Sequence, residues 1–107
     1  MEPIVAITAL SALAQDTRLA IFRYLVTQGR QGAAAGDIAQ RFHLPKPTLS
    51  FHLKELKSAG LVTAERRGRS LIYAADLAAM TALVGYLTEN CCAADNAACG
   101  PARPLCA

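Results

Sequence analysis

The chain has 107 residues and a net charge of +3, 53% of it is hydrophobic, and it lacks Trp and has only three Tyr and three Phe. That length predicts a single domain whose core is built from Leu, Ile, Val and Ala, a composition that favours helices over sheets. No apolar run approaches the length of a membrane span, and the expected location is the cytoplasm, where cysteines stay reduced.

The opening "MEPIVAITALSALAQ" resembles a signal peptide in its apolar run and its Ala12-Leu13-Ala14 ending. Its first residues are acidic where export needs a positive charge, and Thr8, Ser11 and Gln15 fall on one helical face. An amphipathic helix is expected instead. Asp16 is placed to cap a second helix, "DTRLAIFRYLVTQG", with Leu19, Phe22 and Val26 on one face and Gly29 at its end. "RQGAAAG" then reads as a small-residue connection and "GDIAQRF" as a short helix with Ile38, Ala39 and Phe42 facing inward. "HLPKP" stops that helix.

Pro47 suits the first turn of the next helix, "PTLSFHLKELKSAG", where Leu49, Leu53 and Leu56 form a buried stripe and Gly60 marks the end. "LVTAERR" and "SLIYAA", joined by Gly68 and Arg69, predict an antiparallel hairpin. Asp76 is placed to cap a last helix, "LAAMTALVGYLTENCC", with Leu77, Met80, Val84, Leu87 and Cys91 at three-four spacing, a core stripe or dimer seam. The expected organisation is a folded module over residues 1–92 and a cysteine-bearing tail over 93–107.

This element order predicts a mainly α fold with a small β-hairpin, a winged helix-turn-helix that works as a dimer. Charge agrees with that reading. Residues 41–69 hold seven Lys/Arg against Glu55 and Glu65, leaving +5 there and −2 in the remainder. With the leucines set aside, Lys46, Thr48, Ser50, Phe51, His52 and Lys54 are expected to face outward, the hydroxyls and donors toward base edges and the cations toward phosphates. The basic hairpin tip, Arg66, Arg67 and Arg69, is suited to the neighbouring DNA backbone or minor groove. The expected partner is therefore double-stranded operator DNA.

The segments "DTRLAIFRYL", "DIAQRFHLPKPTLSFHLKELKSAGLV", "RRGRSLIYAA" and "LVGYLTENCC" resemble the ArsR-type metalloregulatory repressors over nearly the whole chain. The resemblance implies a homodimeric winged-helix repressor that leaves its operator when a metal or metalloid inducer binds. Histidine-based sensing of zinc, nickel or cobalt in the last helix lacks its ligands, because the two histidines, His43 and His52, both lie in the DNA-reading motif. The family's Cys-x-Cys site near that motif is missing as well.

There remain Cys91, Cys92, Cys99 and Cys106, a sulfur-only set suited to soft ions. Adjacent residues on an intact helix point about 100° apart, so Cys91 and Cys92 are expected where the helix ends and the chain turns. Cys99 is within reach of that pair, whereas Cys106 lies beyond Gly100, Pro101 and Pro104, which stiffen and redirect the chain, and is expected to be dispensable. Three sulfurs suit trivalent arsenic or antimony, as arsenite, antimonite or a trivalent organoarsenical, and "ENCC" with a downstream Cys resembles the arsenite sites of one branch of the family. The inducer is then As(III) or Sb(III), with no prosthetic group. Competing readings are thiol redox sensing, a structural zinc site, disulfides, or Cys91 as an extension of the apolar stripe. No nucleotide loop, carboxylate pair or thiol phosphate loop points to an enzyme.

Overall fold

The computed structural model describes residues 1–95. Helix α1 covers Pro3–Leu13, with a proline in its first turn where no amide hydrogen bond is lost. Helix α2, Asp16–Gln28, follows after a sharp corner and runs into a 3-10 turn at Gly29–Gln31. Strand β1 is Ala33–Ala34, and α3 (Ala35–Phe42) and α4 (Lys46–Ser58) form the helix-turn-helix. Strands β2 (Val62–Arg67) and β3 (Ser70–Ala75) form the hairpin, and α5 spans Leu77–Leu87.

The hairpin register pairs Arg67 with Ser70, so Gly68 and Arg69 make the two-residue turn expected from the sequence. The sheet nevertheless has three strands in the order β1-β3-β2, since Ala33 and Ala34 pair antiparallel with Tyr73 and Ile72. What admits this extra strand is Gly32. Its φ is +69°, and a Cβ there would stand 2.4 Å from the carbonyl oxygen of Tyr73, so only glycine lets the two backbones approach.

The core joins Ile21 and Leu25 of α2, Ile38 of α3, Leu49, Leu53 and Leu56 of α4, and Leu61 and Val62 at the start of the wing. Helix α4 ends in a Schellman motif: the Leu61 amide donates to the Leu56 carbonyl at 3.0 Å and the Gly60 amide to Lys57 at 2.9 Å. Leu56 and Leu61 are both fully buried there, tying α4 to the first strand of the hairpin. At the same end of the sheet, where Val62 pairs with Ala75, the Asp76 carboxylate accepts from the Ala79 amide at 3.0 Å and caps α5.

Several expected details are corrected. The N-cap of α2 is Gln15, whose Oε1 accepts from the Arg18 amide at 2.8 Å, while Asp16 sits inside the first turn, where a carboxylate complements the helix dipole. Leu19 faces outward, and the inner face of α2 is Ile21, Phe22 and Leu25. Helix α1 turns Ala6, Ala9 and Ala12 inward and leaves Ile4, Val5, Ile7 and Leu10 exposed. Its small residues let α1 lie close to the core while the large aliphatics form an outer apolar face. Helix α5 stops at Leu87 rather than at the cysteines, and its buried residue is Leu83; Leu77 and Met80 pack partly on the core and Leu87 is 58% exposed. No single helix among the described residues is long and apolar enough to cross a membrane.

Candidate nucleic-acid interface and thiol turn

The turn between α3 and α4 is set by His43, which takes the left-handed conformation at φ 53°. The Leu44 amide then donates back to the Ala39 carbonyl at 3.0 Å, and the chain leaves α3 at an angle fixed by backbone bonds. Pro45 precedes α4 without a side-chain cap. The first turn of α4 is therefore open to solvent, with Lys46, Pro47 and Thr48 exposed.

Burial of the leucine stripe fixes the rotation of α4. Leu49, Leu53 and Leu56 point into the core, so Thr48, Ser50, Phe51 and Lys54 project outward, Phe51 with 55% of its surface exposed. A groove of about 580 Å3 runs between the start of α3, α4 and the hairpin. Lys46, Ser50, Arg66 and Arg69 line it, with Asp37 and Tyr73. The structure thus brings Lys46, Ser50 and Arg69 together and adds Arg66, while Thr48, Phe51 and Lys54 stand on α4 outside the groove lining. Arg67 points with Glu65 on the same side of β2, and its Nε donates to Glu65 Oε1 at 2.7 Å. Such an exposed pair contributes little stability.

His52 is the exception to the outward expectation. It is only 9% exposed, and its Nδ1 lies 3.3 Å from Nη1 of Arg18 on α2. Its placement follows from helical spacing, because residues 49, 52, 53 and 56 complete one i, i+3, i+4, i+7 face. Burial and the Arg18 guanidinium both push the His52 pKa below the ordinary 6.5, against a weaker upward pull from Asp16. The imidazole is accordingly neutral at neutral pH and accepts at Nδ1, since a guanidinium only donates. Arg18, the partner of His52 across 34 residues, carries no local sequence signal that links it to α4.

Past α5 the chain makes consecutive turns, with Asn90 and Cys92 both left-handed at φ 58° and 62°. Thr88 helps to end the helix by turning its hydroxyl onto the Val84 carbonyl at 2.8 Å. The left-handed backbone brings Cys91 Sγ to 3.2 Å from Cys92 Sγ, a separation well beyond a disulfide bond of about 2.05 Å. The expected convergence of these two thiols where the helix has ended is thus present, four residues past the end of α5. Cys99 and Cys106 lie outside the described residues. Among those described, no group of three His, Cys, Asp or Glu side chains is placed to hold a metal ion.

The exposed aliphatics of α1 lie on a helix that packs against α5. Leu87 of α5 is exposed as well.

Comparison with known proteins agrees with this geometry. A helix-turn-helix domain model matches residues 13–65. An HTH-type transcriptional repressor, SmtB, of Mycobacterium tuberculosis is 42% identical over 64 residues, covering 60% of this chain and 45% of the relative. The chain thus spans about half the length of that relative. A probable mercury resistance operon repressor of Streptomyces lividans is 33% identical over 87 residues, 81% of this chain and 66% of the relative. Among solved structures, a homodimeric winged helix-turn-helix DNA-binding domain from Mycobacterium bovis, described as a possible ArsR-family regulator, superposes with a TM-score of 0.63. It is 34% identical, with 80% of each chain covered.

Proposed function

The chain belongs to the ArsR/SmtB family of winged helix-turn-helix transcriptional regulators, and from that premise we propose that it is a repressor that binds operator DNA as a homodimer and is released by trivalent arsenic. Lys46, Thr48, Ser50, Phe51 and Lys54 of α4 face the DNA, with Ser50 and Thr48 near base edges and the lysines on phosphates. The wing adds Arg66, Arg67 and Arg69. His52 holds α4 from behind rather than reading bases. Two copies meet through the aliphatics of α1 and the outer face of α5, which sets the two recognition helices for successive major grooves.

The observation that carries the inducer assignment is the 3.2 Å approach of the Cys91 and Cys92 sulfurs at the turn after α5. Thiolates are soft donors, and two converging on one point suit a thiophilic ion. Cys99, from the 93–107 segment, supplies the third sulfur. The mercury operon repressor among the relatives supports a thiophilic inducer. Arsenite, antimonite and a trivalent organoarsenical share this chemistry.

Release follows if the inducer favours a dimer geometry in which the recognition helices no longer match the operator. The thiol turn adjoins α5, and α5 packs on α1, so ordering the turn acts directly on the proposed seam. By linkage, operator DNA weakens arsenic binding by the same factor. The test is a panel of single Cys→Ser variants bound to operator and titrated with arsenite. Loss of release at Cys91, Cys92 and Cys99, with Cys106→Ser like the parent, is the expected pattern. Full release after Cys99→Ser points to a two-thiol site. The same sulfur contact also suits a thiol redox sensor, which peroxide would release reversibly and arsenite would not.

A further inference from the structure

Arg18 reaches from α2 to two other helices at once. Its Nε donates to the Ala12 carbonyl, in the last turn of α1, at 2.7 Å, and its Nη1 donates to His52 Nδ1 on α4 at 3.3 Å. Both receiving residues are buried. A guanidinium is planar, with donors in a fixed fork, so it relates the two acceptors more rigidly than a flexible ammonium would. Next to His52 on α4, the exposed ring of Phe51 packs against the imidazole with centroids 5.6 Å apart. An unbroken line of contacts therefore runs from the helix with the outer aliphatic face, through Arg18 and His52, to a side chain on the DNA-facing surface.

We propose that Arg18 is a positioning residue that couples α1 to recognition helix α4 through His52, fixing the rotation of α4 on which operator affinity depends. The proposal rests on the DNA-binding reading above. Nothing in it requires Arg18 to touch DNA. A displacement of α1 at the dimer seam pulls on the Ala12 carbonyl, and the same guanidinium passes that displacement to His52 and the face carrying Ser50 and Phe51. Loss of the guanidinium leaves α4 buried by its leucines but free to rock about them.

The experiment uses the full chain and a duplex that the parent protein selects from a random-sequence pool. Arg18→Met keeps the aliphatic stem, His52→Leu removes the acceptor, and His52→Asn retains an acceptor close to the position of Nδ1. For Arg18→Met and His52→Leu the expected result is a folded dimer whose Kd for the duplex is weaker by about tenfold, the scale of one hydrogen bond to a charged group. The salt dependence of binding stays unchanged because no phosphate contact is lost. The double variant is no weaker than either single one, and His52→Asn stays within about threefold of the parent, the scatter of an uncoupled site.

Parent-like affinity in folded, dimeric Arg18→Met overturns the proposal. So does a flattened salt slope, which makes Arg18 a phosphate contact, or additive losses in the double variant. Should Arg18→Met fail to fold, equal losses in His52→Leu and His52→Asn overturn it equally. A parent protein that selects no duplex refutes the DNA-binding reading itself, an outcome separate from parent binding with unaffected variants.

Discussion

Replacing Lys54 with Ala removes one cation from the outward side of α4 while leaving its buried stripe intact. Lys54 is exposed and forms no ion pair among the described residues, so its charge is available to a phosphate. Each phosphate neutralised contributes about 0.9 to the slope of log K against log salt, and a dimer loses two contacts, so the slope should flatten by about 1.8. From about 50 to 200 mM salt, the parent should lose roughly tenfold more affinity than the variant. Thermal stability should stay within about 0.5 kcal/mol, as for other exposed substitutions. Fluorescence anisotropy of a labelled duplex at a series of potassium chloride concentrations reads the slope directly. An unchanged slope in a folded dimer would refute the placement of Lys54 on the DNA backbone.

Ile7→Asp puts a charge into the exposed aliphatic face of α1, where Ile7 is 57% exposed; sedimentation should show monomers that bind DNA weakly, and a stable DNA-competent dimer would move the seam elsewhere. The His52 pKa is depressed by burial and by Arg18, so the unfolded chain takes up a proton near pH 6.5 before the folded one does. Stability is therefore complete above about pH 6.5 and declines as the pH falls toward the folded pKa, a slope that His52→Asn should remove from urea midpoints measured over about pH 5 to 8. Parallel pH profiles in the two proteins would contradict the buried neutral imidazole. Gly32→Ala forces a left-handed residue with its Cβ against the Tyr73 carbonyl and should cost about 1–3 kcal/mol, read as a lower urea midpoint at unchanged m; an unchanged midpoint would show that β1 relaxes freely.

The parts of the fold legible in the sequence are those fixed locally. Leu49, Leu53 and Leu56 announce their buried face by spacing, Gly60 supplies the left-handed exit from α4, and Asp76 caps α5 three residues from the amide it accepts. Strand β1 was illegible because two alanines carry neither alternation nor β preference, and what places them is the close approach of Gly32 to a strand some forty residues later. Helix α1 was half legible: alanine and large aliphatics are equally apolar in a sequence, and only packing separates the inner small face from the outer large one. The end of α5 was misplaced because Leu87 and Cys91 continue the apolar spacing while Thr88 and left-handed Asn90 bend the backbone away from it.

At the candidate site the sequence carried the exposed face of α4, the basic wing and the meeting of Cys91 with Cys92. Leucine spacing alone puts His52 on the outer face, yet the histidine completes the period of Leu49, Leu53 and Leu56 and is buried with them. Its partner Arg18 is 34 residues away, and no local pattern links them.

In the proposed function, thiol chemistry beyond α5 controls DNA occupancy at α4. The most direct measurement is anisotropy of a labelled operator duplex held by the parent dimer, in anaerobic reducing buffer, during titration with arsenite. Release should saturate at a single arsenic per protomer and be absent when Cys91 and Cys92 are both replaced by Ser. A complex that stays fully bound in excess arsenite, or one released equally well from the double Ser variant, would contradict it.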